Sequence, residues 1–361
     1  MENVERVDVL ILGGGMAGLM QARHLRRTLP ELSIAMVEPR SKEEIATIHK
    51  IGESTVEMAA HFITHDLGLI DYMIDNHPPK CGLNFHWAKD ADVSGAIEDY
   101  WSIWATRFPK IGAFQMHRGK LERDLTEMCE QDGVRMIRGR SRDIDLAEVG
   151  GTHRVRVKLA DRSELHIEAD HLIDAAGRAF LLGRKLDNII KGPENLFGLD
   201  TVSSWVRVKG VDRNLFSEGA HPDKSSTSHW YATNHFFGHG HWVWMIPIDR
   251  DTNTVSFGLV AHRTEIDPRT VNTQDKLLAF LKANHTILSD LIGSGEIEDF
   301  ICWDRPSHLS KQMFGENNWY VVGDAAYFGD PFYSTGTSTI AVAITSVTKI
   351  IEARSKGWAD A

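Results

Sequence analysis

The chain has 361 residues, of which 42% are hydrophobic and 25% charged, with a formal net charge of −10 and a pI near 6.0. This length suggests one large domain or two closely packed ones, and the acidic balance argues against a dominant nucleic-acid surface. Three unpatterned cysteines, Cys81, Cys129 and Cys302, indicate neither a disulfide framework nor a zinc site. The N-terminal stretch MENVERVDVL does not resemble a signal peptide, and no run of 18 apolar residues exists, so a cytoplasmic protein without a membrane span is expected.

The N-terminal part of the chain predicts a βαβ unit. An apolar strand at 7–12 ends at Gly13, a helix follows at 16–27, and a second strand covers 33–37. A helix is predicted at 121–131, before the strand VRMIRG. The segments RVRVKLA, ELHIEA and HLIDAAG then predict three further strands.

The pattern changes between residues 203 and 261. The segments SSWVRVKG, HWVWMIPI and NTVSFGLVA are rich in aromatic and β-branched residues at period two, which predicts antiparallel strands. The segment HPDKSSTS (221–228) predicts a loop. One helix is predicted at 273–291, and a closing helix at 337–354 follows the strand and turn WYVVGDAA.

These elements predict an α/β fold with a Rossmann-like nucleotide-binding domain that is discontinuous in sequence and is interrupted by β-sheet-rich substrate regions. We expect the nucleotide-binding parts at 1–78, 109–195 and 301–361. Substrate-region strands are expected at 79–108, and the main β-rich substrate region at 196–300.

A glycine motif follows the first predicted strand. Gly13, Gly15 and Gly18 form GxGxxG, which suits a tight turn, close approach of a pyrophosphate and helix–strand packing. The phosphates are expected at the start of the helix, near Met16 and Ala17, where free N–H groups attract an anion. Glu38 ends the second strand, where an acid can accept hydrogen bonds from ribose. The alternative is a plain glycine-rich turn, and the motif alone does not separate FAD from NAD.

Two later segments separate these cofactors. Together with the first motif, IDAAGR (173–178) and WYVVGDAAYFGDP (319–331) resemble the FAD-dependent monooxygenase superfamily built like p-hydroxybenzoate hydroxylase. The resemblance implies that the FAD-binding domain uses Asp324 for the ribityl chain and Arg118 near the phosphates. For Arg118, a surface charge at a helix start is the alternative.

The segment WVWMIP (242–247) has the pattern W-x-W-x-I-P, which resembles the signature of flavin-dependent halogenases. A strand places Trp242 and Trp244 on one face. The resemblance implies that these indoles keep an organic substrate away from the flavin, so that only a halide reaches the activated oxygen and hypohalous acid forms. The alternative is an ordinary aromatic sheet core.

A lysine follows the segment IGESTV (51–56). Lys80, in PPKCGLNFHW, sits where this family has a lysine that directs hypohalous acid by hydrogen bonding or through a chloramine. A solvated lysine in a Pro-Pro loop is the alternative. Further cofactor contacts are implied for the loop that contains Gly52, Glu53, Ser54 and Thr55.

The segment DPFYSTG (330–336) resembles the family's segment beside the flavin ring. Its backbone N–H groups at Ser334, Thr335 and Gly336 predict a site for chloride or bromide, and Pro331 and Gly336 are expected to contact FAD. A simple helix cap is the alternative. Tyr333 stands where tryptophan halogenases carry a glutamate, which favours a phenol or pyrrole over free tryptophan as substrate.

The leading hypothesis is an FADH2-dependent halogenase that uses O2 and chloride or bromide. Only one GxGxxG exists, so either a nicotinamide cofactor binds without a domain of its own or a separate flavin reductase supplies FADH2, and the second is expected. The substrate is expected to be a small aromatic, free or tethered to a carrier protein, because the family's C-terminal substrate-cover segment looks short or absent. An aromatic hydroxylase and a flavin-binding protein without chemistry are the alternatives, and a homodimer is left open.

The remaining unusual feature is a histidine-rich stretch with His229, His235, His239 and His241. His239 and His241 are predicted to share a strand face. Because no carboxylate or cysteine joins them at ligand spacing, we predict hydrogen-bonded or solvent-facing histidines and no metal.

Overall fold

The computed structural model describes residues 4–47, 50–90, 93–107, 111–216 and 227–358, so most of the predicted loop at 221–228 lies outside the described residues. The helices are α1 Met16–Thr28, α2 Lys42–Thr47, α3 Glu57–His61, α4 Ile70–Asn76, α5 Arg118–Gln131, α6 Leu181–Lys185, α7 Gln274–Asn284, α8 Thr286–Gly293 and α9 Gly336–Ser355. The strands are β1 Val4–Leu12, β2 Ile34–Glu38, β3 Pro79–Lys80, β4 Leu83–Ala88, β5 Tyr100–Ile103, β6 Ala113–Phe114, β7 Arg135–Asp145, β8 His153–Leu159, β9 Glu164–Asp174, β10 Ile189–Ile190, β11 Thr201–Lys209, β12 Thr233–Gly238, β13 His241–Asp249, β14 Thr254–His262, β15 Glu296–Asp304, β16 His308–Ser310, β17 Trp319–Val321 and β18 Tyr327–Phe328.

The first large sheet is the nucleotide-binding sheet predicted from the sequence. Strands β7, β2, β1, β9 and β17 pair in parallel in that order. Strand β8 pairs antiparallel with the outer parts of β7 and β9. Since β9 and β17 lie far from β1 in sequence, the domain is discontinuous, and the carboxyl ends of β1, β9 and β17 meet at one edge.

Strand β1 shows why this sheet is buried on both sides. Val9 and Ile11 pack into the core that contains α1, α5 and α9, whereas Leu10 and Leu12 face the opposite core. All four side chains are fully buried. This arrangement requires the nearly continuous apolar run seen in the sequence, which is typical of a parallel sheet covered on both faces.

The second large sheet is mainly antiparallel, in the order β15-β11-β14-β13-β12-β4-β5, with one parallel pair between β12 and β4. One face packs on α7 and α8 through residues such as Leu277 and Leu288. The opposite face carries Trp205, Trp244 and Val260. The predicted α/β class with a β-rich region is therefore confirmed.

The predicted helix at 273–291 is wrong in one respect, because it divides at His285 into α7 and α8. His285 has φ −145° and ψ 73°, which no helix accommodates. Its buried ring lies with Nε2 3.0 Å from His241 Nε2 and Nδ1 3.2 Å from the Tyr100 hydroxyl. The break turns this side chain toward the second sheet, a contact that helical periodicity does not reveal.

Among the described residues, no helix combines the length and apolarity needed to cross a bilayer.

Candidate active site

A cavity of about 980 Å³ lies between the carboxyl ends of β1, β9 and β17 and the tryptophan-bearing face of the second sheet. This volume is at the upper end of the range of about 300–1,000 Å³ that is usual for ligand sites. Most residues that the sequence singled out line it: Gly13, Gly15, Met16, Ala17, Glu38, Gly52, Glu53, Ser54, Arg118, Trp242, Trp244, Asp324, Pro331, Ser334, Thr335 and Gly336. Gly18, Thr55 and Lys80 lie behind this lining.

The glycine turn after β1 leaves open space for a ligand. Gly13 has φ +108°, and a Cβ there would lie 2.5 Å from the Ala175 carbonyl oxygen, so a side chain is excluded on two grounds. A Cβ at Gly15 would meet only Lys50 Nζ, at 3.4 Å. Backbone N–H groups at the start of α1 are therefore accessible from the cavity, next to a lysine.

Gly18 acts through packing, since a Cβ there would lie 2.0 Å from the Gly13 carbonyl oxygen. We expect Gly18→Ala to displace the turn and lower both FAD retention and unfolding free energy, the latter by about 1–3 kcal/mol. Gly95→Ala is the matched control, because its Cβ would meet nothing within 4 Å. Flavin absorbance per chain and denaturant unfolding provide the two readouts. Equal flavin content in both variants would contradict this role.

Glu38 lies at the end of β2 beside the turn. Its Oε2 accepts a hydrogen bond from Gly14 N at 2.8 Å, and its Oε1 accepts one from Arg40 Nε at 2.5 Å. Burial opposes ionisation, but the hydrogen bonds from Arg40 and Gly14 lower the pKa of Glu38. The carboxylate is thus held ionised at the cavity wall, and its oxygens can accept hydrogen bonds from ribose hydroxyls.

Arg118 is buried rather than a surface charge at the start of α5. Its Nη2 donates to Glu122 at 2.5 Å and its Nη1 to the Ile51 carbonyl at 2.5 Å, while its buried Nε has no protein partner. Lys50 also pairs with Glu122, at 2.5 Å. One carboxylate therefore serves two cations, which leaves a local excess of positive charge facing the cavity.

Asp324 lies after β17 in a turn where Gly323 has φ +63°. Burial raises the pKa of this carboxyl, against the attraction of Arg118, His308 and Arg178. Because a Cβ at Gly323 would lie 2.6 Å from Ala17 Cβ, the turn packs directly against the start of α1. Asp324 and the glycine motif thus line the same end of the cavity.

Glu53 faces a charged cluster that the sequence did not predict. Arg207 Nη1 lies 3.5 Å from Glu53 Oε1, while Arg207 Nη2 lies 2.7 Å from Asp299. Burial raises the pKa of Glu53 to about 8, and the nearby Asp299 carboxylate adds to this rise, while a hydrogen bond with Ser256 and the charge of Arg118 offset only part of it. Glu53 is therefore mainly a neutral hydrogen-bonding group at pH 7.

Trp242 and Trp244 form an indole wall along one side of the cavity. Their ring centroids are 5.9 Å apart and their planes are inclined by 51°. Trp244 Nε1 donates to Ser256 Oγ at 3.1 Å, which fixes its orientation. The facing residue on β14 is Gly258, where any Cβ would lie 1.9 Å from the Trp244 ring, so this glycine provides the space for the indole.

Lys80 is buried, with 2% of its surface exposed. Strand β3 pairs with β6, and the ammonium donates to the Thr55 carbonyl at 2.7 Å and lies 3.4 Å from Ser334 Oγ. Burial lowers the pKa of Lys80 to about 7, partly offset by Glu57. A lysine near its pKa can serve either as a hydrogen-bond donor or as a nucleophilic amine. Thr55 contributes through this carbonyl rather than by lining the cavity.

The segment 331–336, here called the halide loop, has an unusual backbone before α9. The non-glycine residues Tyr333 and Ser334 have φ +66° and +58°, and such left-handed positions concentrate at functional sites. Thr335 makes no side-chain cap to α9, contrary to the simple capping alternative. The first N–H groups of this 20-residue helix thus remain available to an anion.

The four clustered histidines have separate environments. His239 lies in the turn before β13 and is exposed, whereas His241 is buried against His285, so the predicted shared face is wrong. His235 lines the cavity. Across the described ranges, no group of three or more His, Cys, Asp or Glu side chains could hold a metal.

Several cavity residues were missed by the sequence reasoning. They include Arg40, Lys50, Arg178, His235 and Trp303. Three of these had a local signal, because Arg40 is two residues after Glu38, Lys50 directly precedes IGESTV and Arg178 is the last residue of IDAAGR. His235 and Trp303 reach the cavity through strand pairing between distant segments, which no local pattern reveals.

The comparisons with known proteins agree with this geometry. The sequence profile described as tryptophan halogenase matches residues 8–101 and 109–359. The flavin-dependent halogenase chlA of Dictyostelium discoideum is 43% identical over 97% of this chain, and the match spans 60% of that relative's length. A 1H-pyrrole-2-carbonyl-(peptidyl-carrier protein) chlorinase of Pseudomonas fluorescens is 27% identical over 92% of this chain and 72% of its own.

Solved structures share the fold. The halogenase PltM in complex with phloroglucinol and FAD has a TM-score of 0.79 at 18% identity, covering 97% of this chain and 70% of that one. The flavin-dependent brominase Bmp2 has a TM-score of 0.73 at 22% identity, covering 96% and 80%. The fold is thus that of flavoprotein halogenases.

With a profile that spans nearly the whole chain and a relative at 43% identity, this protein belongs to the tryptophan halogenase family. The cavity also fits FAD on its own chemistry. Six basic and four acidic side chains line it, and burial raises the pKa of three of those acids, Glu53, Asp324 and Asp330. A net cationic site with an open glycine turn suits a pyrophosphate.

Proposed function

We propose that this protein is an FADH2-dependent halogenase that chlorinates or brominates an electron-rich aromatic compound. The observation that carries the proposal is the position of the indole wall. Trp242 and Trp244 line the same cavity as the glycine turn and the halide loop. A half-buried indole at Trp242 and a buried one at Trp244 beside the flavin position would leave more room for a small anion than for an aromatic ring.

The cofactor would be held by the glycine turn, Glu38, the loop at 52–55, Arg118 and Asp324. Gly15 and the start of α1 would face the pyrophosphate. Arg118 and Lys50, which both pair with Glu122, would supply the positive charge that attracts it. When bound, reduced FAD would supply two electrons to O2, and the halide would supply the other two as it becomes hypohalous acid. A separate flavin reductase would provide that reduced flavin.

The halide would bind at Ser334, Thr335 and Gly336. The Ser334 N–H already donates to the Pro331 carbonyl at 3.0 Å, so the anion would take the N–H groups of Thr335 and Gly336 at the uncapped start of α9, beside the Ser334 hydroxyl. The Lys80 ammonium adds positive charge 3.4 Å from Ser334 Oγ. Hypohalous acid formed at this loop would thus arise next to Lys80. That ammonium can donate a hydrogen bond to the acid and direct it toward the substrate.

For the substrate, we propose a phenol or a pyrrole. Tyr333 lies in the halide loop and is half exposed, where tryptophan halogenases carry a glutamate. Without that carboxylate, a ring that is already electron-rich reacts more readily. The Pseudomonas relative is named for a pyrrole on a carrier protein, which supports testing both free and carrier-bound substrates.

The experiment is a product assay. The protein is incubated with FAD, a flavin reductase, NADH, O2, bromide and a mixture of phenols, pyrroles and indoles, and products are identified by mass spectrometry. The proposal predicts an aromatic product with the bromine isotope pair. A product with one added oxygen would identify a hydroxylase, and hydrogen peroxide alone would identify a flavin-binding protein without this chemistry.

A further inference from the structure

His235 occupies an unusual place on the aromatic face of the second sheet. It lies on β12 between Phe85 of β4 and Trp244 of β13 in one cross-strand row. The row continues through Gly258 and Trp205. His235 is the titratable member of this row, and it lines the cavity directly beside the indole wall.

The ring of His235 is enclosed by aromatic side chains. Its centroid lies 5.1 Å from that of Phe85, nearly parallel, 5.4 Å from that of Phe332, nearly perpendicular, and 5.6 Å from that of Trp242. The imidazole faces the backbone carbonyls of Asn84 and Thr233. A phenol whose ring stays outside the indole wall, and whose hydroxyl alone reaches this pocket, would meet the edge of the imidazole.

The protonation state of His235 follows from its partner. Nδ1 lies 3.1 Å from the Asn84 carbonyl oxygen, which can only accept, so Nδ1 carries the proton. In the neutral ring, Nε2 is then a hydrogen-bond acceptor. Burial, with a further contribution from Lys80, lowers the pKa of His235 to about 4 and keeps the ring neutral near pH 7.

The nearby halide loop offers no comparable base. Tyr333 packs on Phe332 and Phe85, with centroid distances of 4.1 and 6.0 Å, so it shares both neighbours with His235. Asp330 lines the cavity, but its carboxylate accepts a hydrogen bond from Phe332 N at 2.9 Å and burial raises its pKa. His235 Nε2 is therefore the best-placed neutral acceptor at this end of the cavity.

We propose that His235 Nε2 accepts a hydrogen bond from a phenolic hydroxyl of the substrate and so replaces the carboxylate that Tyr333 lacks. The proposal rests on the proposed function. The hydrogen bond to Nε2 polarises the hydroxyl and raises electron density at the ring carbons, while the proton stays on the phenol oxygen. The ring attacks the halogen of hypohalous acid, a carbon–halogen bond forms and the oxygen–halogen bond breaks. The hydrogen on that carbon leaves as a proton, and the released hydroxide takes it up as water.

The test compares phenols with their methyl ethers, which cannot donate the hydrogen bond. The measured quantity is the yield of halogenated phenol divided by the yield of hypohalous acid, which a scavenger traps in a parallel reaction. In His235→Phe, we expect this ratio to fall about 100-fold. The methyl ethers, on the same scale, should change by less than about threefold. His235→Gln keeps an acceptor oxygen and should recover about tenfold of the loss. Exposed His239→Gln is the matched control, and flavin content reports folding of each variant.

The outcomes separate the two proposals. If the wild-type protein forms neither hypohalous acid nor halogenated product, the proposed function fails. If hypohalous acid forms but His235→Phe lowers the halogenation of phenols and of methyl ethers equally, or lowers neither, the hydrogen bond is absent. That result would overturn the inference. If His235→Phe loses its flavin, the comparison moves to His235→Gln, in which phenol halogenation must fall about tenfold while halogenation of the methyl ethers changes by less than about threefold.

Discussion

Replacing Lys80 with methionine is expected to lower aromatic halogenation at least about 100-fold while halide oxidation continues. The buried ammonium lies beside the halide loop, and methionine keeps its volume but removes the charge and the hydrogen-bond donor. Product formation, scavenged hypohalous acid and the mass of the intact protein are measured in parallel, because hypohalous acid also oxidises a methionine thioether. Exposed Lys282→Met on α7 is the matched control.

The same substitution should stabilise the protein without flavin. Lys80 has its pKa lowered by burial from 10.5 to about 7, so holding it charged at pH 7 or below costs about 5 kcal/mol. The lost hydrogen bond to Thr55 offsets about 1.5–3 kcal/mol of this gain. The gain in unfolding free energy, about 2–3 kcal/mol, should be largest at pH 7 and below and should shrink as the pH rises toward 10.5.

Denaturant unfolding at pH 7 and pH 9.5 checks this behaviour. A variant that is less stable than wild type at pH 7, or whose advantage grows with pH, would show that Lys80 is better solvated than its burial indicates. Retained regioselective halogenation by Lys80→Met would remove the lysine from the chemistry altogether.

Opening the indole wall should change the product rather than only the rate. Trp242→Ala removes a half-buried indole between Trp244 and Phe332, both within ring contact at 5.9 and 5.3 Å. An aromatic substrate could then approach the flavin, so we expect hydroxylated phenol and hydrogen peroxide to increase at least about tenfold relative to halogenated product. Liquid chromatography with mass spectrometry gives the ratio.

Trp230→Phe provides the control for general destabilisation. Trp230 is buried in the core beneath α7 and α8, away from the cavity. The Trp230→Phe substitution should lower the free energy of unfolding and leave the ratio of hydroxylated to halogenated product unchanged. An unchanged ratio in Trp242→Ala as well would mean that the indoles only fill space.

The features that could be predicted from the sequence are those that neighbouring residues determine. The turn at Gly13 and the i, i+2 placement of Trp242 and Trp244 follow from local backbone geometry. The closing helix α9 likewise begins within one residue of its predicted start. Such local signals, together with the family resemblance, were sufficient for the fold class and for the cavity residues that the sequence singled out, which are a minority of the lining.

The remaining features depend on contacts between distant parts of the chain. Lys80 is buried because Ser334, 254 residues later, lies against it, and His235 is oriented by Asn84, 151 residues earlier. The break at His285 follows from its contact with His241 on another element. No periodicity within one segment reveals these pairings, so the order of strands had to be known first.

The central claim is that the indole wall admits a halide to the flavin and excludes an aromatic ring. It is tested most directly by omitting the halide from the complete reaction with reductase, FAD, NADH, O2 and a reactive phenol. We predict that the wild-type protein then leaves the phenol unchanged and releases only hydrogen peroxide, and that adding bromide restores a brominated product. Hydroxylated phenol formed by the wild-type protein without halide would contradict the account.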